Sequence, residues 1–205
     1  MKTNKITSAP TKTIILFSLL LLMLTNGYAQ IDNDSKLIKP ETNITDDLLW
    51  HVKAFRPDAQ ILQVKAIDEN GKIHDVKAFQ PYEASSSVLN VKALVDEKRL
   101  PIKIILPNNK GEYFPLVAIR DDGSKLKIVA INDKGEYLEV KGHSKSGNVI
   151  NISAITTDGF GYNIIAISPF GEVNSVMGIK MLDATEEAVI NGVSIFAHVK
   201  AIKQN

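Results

Sequence analysis

The sequence predicts an all-β fold, an antiparallel meander of about twelve strands that closes as a barrel or folds into a two-layer sandwich. Three observations predict it. Val-Lys-Ala recurs at Val52, Val64, Val76, Val91 and Val199. Degenerate copies begin at Ile102, Leu116, Ile128, Val140, Ile152, Ile164 and Val176, the last six spaced twelve residues apart. Turn signals ending in glycine stand between copies: Asp68-Glu69-Asn70-Gly71, Asp121-Asp122-Gly123, Asp133-Lys134-Gly135, Lys145-Ser146-Gly147, Asp158-Gly159 and Pro169-Phe170-Gly171.

The elements follow in chain order. Lys2, Lys5 and Lys12 precede the apolar run Ile14 to Leu24 and then Gly27-Tyr28-Ala29, which reads as a signal peptide over residues 1–29. That run is short of the roughly 20 residues a membrane span needs, so no retained anchor is expected and the mature chain is expected not to span a membrane. Residues 30–47, rich in Asp, Asn, Lys and Thr, have no apolar period and read as a flexible lead-in. Residues 48–205 form the single β-repeat domain.

Within each repeat, about eight residues of strand precede about four of turn, and the closing glycine suits a type I turn followed by a residue at positive φ. Antiparallel partners about one turn have position numbers of constant sum. This pairs Ile128 with Val140, Ala130 with Leu138, Val129 with Glu139, Ile131 with Tyr137, Val64 with Val76, Lys65 with Asp75, and Ile67 with Ile73. In this register Ile128, Val140, Ile152, Ile164 and Val176 form a branched row on the dry face, and Lys, Glu, Asp, Asn and Ser occupy the wet face. The rhythm stretches at Phe79 to Val88 and at Leu106 to Phe114, the expected corners. Asp183 to Ala188 reads as a loop or short helical turn before the hairpin Ile190-Asn191-Gly192-Val193. Trp50 is expected to anchor the first strand in packing.

The 24 basic and 23 acidic side chains nearly cancel, which argues against a nucleic-acid partner. There is no cysteine, hence neither a disulfide nor a lipid-modified cysteine behind the signal. No phosphate-cradling glycine loop, nucleophile elbow or dinucleotide fingerprint occurs, and no cofactor is expected. The histidines His51, His74, His143 and His198 lie on different repeats without metal-ligand spacing, so no metal site is expected. The acidic turn Asp68-Glu69-Asn70-Gly71 lacks the spacing of a calcium loop and reads as turn chemistry.

The repeat lysines Lys53, Lys65, Lys77, Lys92, Lys103, Lys141 and Lys200 share one repeat position and hence the wet face. Lys53, Lys65, Lys77, Lys92 and Lys103 are the candidate binding residues, a basic stripe for an acidic glycan or a partner protein. The near-identity of His51-Val52-Lys53-Ala54-Phe55 and His198-Val199-Lys200-Ala201-Ile202 suggests that the ends meet, with His51 and His198 as the closing pair.

A signal ending in Tyr-Ala-Gln, an acidic lead-in, repeats of Val-Lys-Ala-Ile/Phe-x-Asp-x-x-Gly and a closing Ala-His-Val-Lys-Ala-Ile together resemble exported proteins of unknown function from Bacteroidota. The resemblance covers Trp50 to Asn205, implies a periplasmic or cell-surface location in a Gram-negative bacterium, and transfers no catalytic residue. The expected function is a non-catalytic binding or scaffold module of the cell envelope, with an envelope protein or glycan as partner. The alternatives are a polysaccharide-acting hydrolase using converging carboxylates, and an apolar-ligand carrier with a cavity beside Ala130, Ala154 and Ala166.

Overall fold

The computed structural model describes residues 47–81, 87–107 and 113–203, all within the unit Thr45–Asn205. The signal segment and the lead-in up to residue 46 lie outside the described residues. The expected all-β antiparallel architecture is what the structure shows: one closed twelve-stranded sheet and a small two-stranded one.

The sheet is organised in triads whose three strands all pair with one another. The first is β1 (Leu48–Phe55), β2 (Leu62–Ile67) and β3 (Ile73–Gln80). The second joins β4 (Val88–Val95) and β5 (Lys98–Ile104) to the last strand, β14 (Ala197–Lys203). The third is β6 (Phe114–Ile119), β7 (Lys125–Ile131) and β8 (Tyr137–Ser146). The fourth is β9 (Val149–Ile155), β10 (Gly161–Ile167) and β11 (Val173–Ile179). The pairs β1–β10, β2–β7, β3–β4, β5–β6, β8–β9 and β11–β14 join every triad once to every other. Each of the twelve strands thus has three partners, and both flanks of each are engaged over part of its length.

The repeat residue Val, Ile or Leu sits where a strand passes from one triad partner to the next. Strand β1 pairs with β3 up to His51 and with β2 from Lys53, so Val52 is the pivot. Val64 and Val76 are the corresponding pivots of β2 and β3. Val91, Ile102 and Val199 serve the second triad in the same way. Across the inter-triad pairs each of these six faces a small residue, as in Val52 opposite Ala166 and Val199 opposite Gly178. The expected branched row is therefore subdivided: Ile128 faces Ala66, and Val140 faces Ala154. Alternating large and small inward residues let facing side chains interdigitate.

One strand breaks the pattern. Ile104 of β5 stands where the other strands carry Ala or Gly, and it is fully buried opposite Leu116. Room for it comes from Gly178 and Gly142: a Cβ on Gly178 would lie 2.3 Å from Ile104 Cδ1, and one on Gly142 would lie 3.4 Å from the same atom. Trp50 is buried at the first strand, as expected, and its indole Nε1 donates to Gln80 Oε1 at 2.9 Å.

The predicted hairpin registers hold at Val129↔Glu139, Ala130↔Leu138, Ile131↔Tyr137, Lys65↔Asp75 and Ile67↔Ile73. The expected pairs Ile128–Val140 and Val64–Val76 do not form, because each strand changes partner at these residues, and Ile128 faces Ala66, Val140 Ala154 and Val64 Ala130 instead. Gly71, Gly123, Gly135, Gly159 and Gly171 all have positive φ, and each donates its N–H to the carbonyl three residues back. Asp183 to Glu187 is a series of bends, without a helical turn, before the hairpin β12 (Ala188–Ile190) and β13 (Val193–Ile195). This hairpin buries Ile195 with Val117 and Ile119 in a small apolar cluster separate from the main core.

Candidate functional site

Each pivot is flanked by two outward residues, so every triad presents six side chains around its junction. In the first triad these are Lys53, Lys65 and Lys77 with His51, Gln63 and Asp75. In the second they are Lys92, Lys103 and Lys200 with Asn90, Pro101 and His198. The two rings adjoin, because Lys77 lies directly opposite Lys92 in the β3–β4 register. The structure therefore gathers all five candidate lysines, with Lys200, into one basic surface. His51 and His198 are not brought together: His51 sits beside Lys77 and His198 beside Lys103, in different rings, because β1 and β14 belong to different triads.

The rings differ in charge balance. In the first, Asp75 accepts from Lys65 Nζ at 2.6 Å and lies 3.9 Å from Lys77 Nζ. Burial pushes the Asp75 carboxyl up, but Lys65 and then Lys77 outweigh it and hold the group below its ordinary value. The six positions of the second ring hold no carboxylate. Lys103 Nζ contacts His198 Nδ1 at 2.6 Å, and Lys200 Nζ donates to Asn90 Oδ1. Desolvation, then repulsion from Lys200 and Lys92, lowers the Lys103 amine to about 8, with Glu187 acting the other way. Lys200 is lowered by desolvation and by Lys92. His198 is lowered by desolvation and by Lys103. All three shifts report an electropositive, partly dry site that a bound anion would relieve.

Glu187, absent from the sequence-level candidates, stands behind this ring. Its side chain is 0% exposed; Oε2 lies 3.2 Å from His198 Nε2, and Oε1 accepts from the backbone N–H groups of Met181 and Leu182. The only sequence signal was its place in the irregular segment before the last strand. The junction of the third triad carries a depression of about 490 Å³ lined by Tyr113, Pro115, Val117, Lys127, Glu139 and Lys141.

The other two histidines, His74 and His143, lie outside both rings. His74 is buried against Asp68, whose carboxylate also accepts from the N–H groups of Asn70 and Lys72, so the acidic turn is turn chemistry as expected. His143 Nε2 meets Ser153 Oγ at 2.9 Å. Among the described residues no group of three or more His, Cys, Asp or Glu is placed to hold a metal ion, and no helix is long and apolar enough to cross a membrane.

Fold and surface together define a class, a closed antiparallel β-repeat protein that gathers its repeat lysines at strand junctions. The chain belongs to a family of unknown function, DUF7486, whose model matches residues 46–202. Neither a curated protein nor a solved structure matches it.

Proposed function

We propose that this protein is a non-catalytic binding module exported to the cell envelope, and that it holds an acidic glycan on the two adjoining lysine rings. The observation that carries the reading is the pair Lys77↔Lys92, in which two like charges stand directly opposite in an antiparallel ladder. Such a pair is destabilising by itself. It joins a ring that is partly neutralised by Asp75 to one without a carboxylate, giving a continuous surface suited to a chain of regularly spaced anions. The N-terminal signal pattern supports export.

The test is binding of the chain to polygalacturonate, with neutral dextran as the control. Binding to the acidic polymer alone, weakening as salt rises, is expected. Lys77→Glu with Lys92→Glu should weaken it at least about tenfold at low salt. Unchanged binding in that variant would reduce the lysines to a solubilising role.

A further inference from the structure

The second ring holds an arrangement that anion binding does not require. Lys103, His198 and Glu187 form a line, with Lys103 Nζ 2.6 Å from His198 Nδ1 and His198 Nε2 3.2 Å from Glu187 Oε2. Oε2 is buried, lies at ion-pair distance from His198 Nε2 and makes no other polar contact among the described residues. An ammonium only donates, so His198 Nδ1 is the acceptor for the Lys103 ammonium, which leaves the proton of the neutral imidazole on Nε2, the nitrogen nearest Glu187. A nucleophile, a base in hydrogen-bond reach and a third group that orients the base is the constellation of an activated amine.

The surroundings of Lys103 favour the neutral amine. His198 and Lys200 face it from β14 and Lys92 from β4, while its partner on β6 is the apolar Val117. Among the described residues Glu187 is the carboxylate that acts on it. A lysine that is partly desolvated beside other cations is the kind that condenses with carbonyl compounds.

We propose that Lys103 is a reactive amine that condenses reversibly with the carbonyl group of a small anionic aldehyde or keto acid, using His198 as proton shuttle. His198 Nδ1 takes a proton from the Lys103 ammonium, and the imidazolium is stabilised by Glu187. The Nζ lone pair attacks the carbonyl carbon, forming the C–N bond while the carbonyl electron pair moves to oxygen, which receives the proton from His198. Loss of a second proton from nitrogen to His198 and departure of hydroxide as water, protonated by the same imidazolium, leave the protonated imine. No redox change occurs, and hydrolysis reverses the step. The anion of the ligand rests on Lys92 and Lys200, which is the part that depends on the proposed anion-binding role.

The test is labelling of the chain with pyridoxal 5′-phosphate and with pyridoxal, each trapped by borohydride and mapped by peptide mass spectrometry. Lys103 should be labelled about tenfold or more faster than the exposed Lys134, with a rate that rises through a midpoint near pH 8. His198→Gln should slow labelling at Lys103 by about a hundredfold. Thermal unfolding of that variant shows whether it is folded, and Lys103→Met, which leaves the histidine in place, should remove the fast site and spare Lys134. Equal labelling of Lys103 and Lys134 by both aldehydes in the unaltered chain would overturn the proposal. Fast labelling of Lys103 by both aldehydes without preference for the phosphate would leave the reactive amine standing and remove the anion-binding role. Glyoxylate and a galacturonate oligosaccharide, trapped in the same way, tell a free acid from a glycan reducing end: trapping of either at Lys103 supports the proposal and names the source, and trapping of neither counts against it.

Discussion

Ile104 and Gly178 are a matched pair. The repeat asks for a small residue at both positions, and β5 supplies a large one, so β11 gives up even a methyl group to accept it. Gly178→Ala should destabilise the fold by about 1–3 kcal/mol through overpacking. Ile104→Ala alone should cost about 2–5 kcal/mol through the cavity it opens. Chemical denaturation of the double variant should show a smaller loss than the two added, because the cavity receives the new methyl group. The departure of Ile104 from the repeat was visible in the sequence. Its compensation was not, since nothing local places β11 near β5 by way of β14. For the same reason the lysines could be assigned to the wet face from their repeat position, whereas their sorting into two rings depended on pairings that the repeat does not encode.

At the scale of elements, hairpins were legible because a turn fixes the register of the strands on either side of it. The β4–β5 hairpin is the informative exception to the glycine rule. Its two-residue turn puts Asp96 and Glu97 at φ of 46° and 66°, both in the left-handed region, where non-glycine residues are disfavoured. Glu97→Gly should raise stability by about 0.5–1 kcal/mol, read from the denaturation midpoint, and keep the Lys72–Asp96 ion pair at 2.8 Å. The β12–β13 hairpin uses the favoured Asn191-Gly192 turn, and Asn191 Nδ2 donates to the Arg120 carbonyl at 2.9 Å, which fastens it to the β6–β7 turn. Asn191→Ala should loosen this fastening and speed amide exchange in residues 188–195 while leaving that of β1–β3 unchanged.

At the scale of the whole domain, three turns from three triads meet and exchange ion pairs in a circuit. Lys72 binds Asp96, Lys98 binds Asp121 at 2.6 Å, and Arg120 reaches Asp68 at 3.5 Å. Desolvation raises the Asp68 carboxyl, but His74 and the N–H groups of Lys72 and Asn70 together hold it below its ordinary value; Asp96 is held below its own chiefly by Lys72. Such depressed carboxyls are already ionised in the native state at a pH where the unfolded chain still binds protons. Their stabilisation is therefore complete above the unfolded value near 3.8 and is lost as pH falls through the native values. The urea midpoint should drop between pH 6 and pH 3, and Asp68→Asn should flatten that drop. The links between triads were not readable from the sequence: the repeat gives each strand the same branched-and-small pair, so it does not tell Val52 to choose Ala166 over Ala130. The split second triad has a consequence for how the molecule is made. Strands β4 and β5 must wait for β14, which arrives after Val193–Ile195, so they cannot complete their junction while the intervening chain is being synthesised. Closure of this kind joins residues far apart in the chain and carries a high contact order, so refolding is expected on the millisecond-to-second scale of β proteins rather than in microseconds, with β14 as the clasp that makes the transition all-or-none.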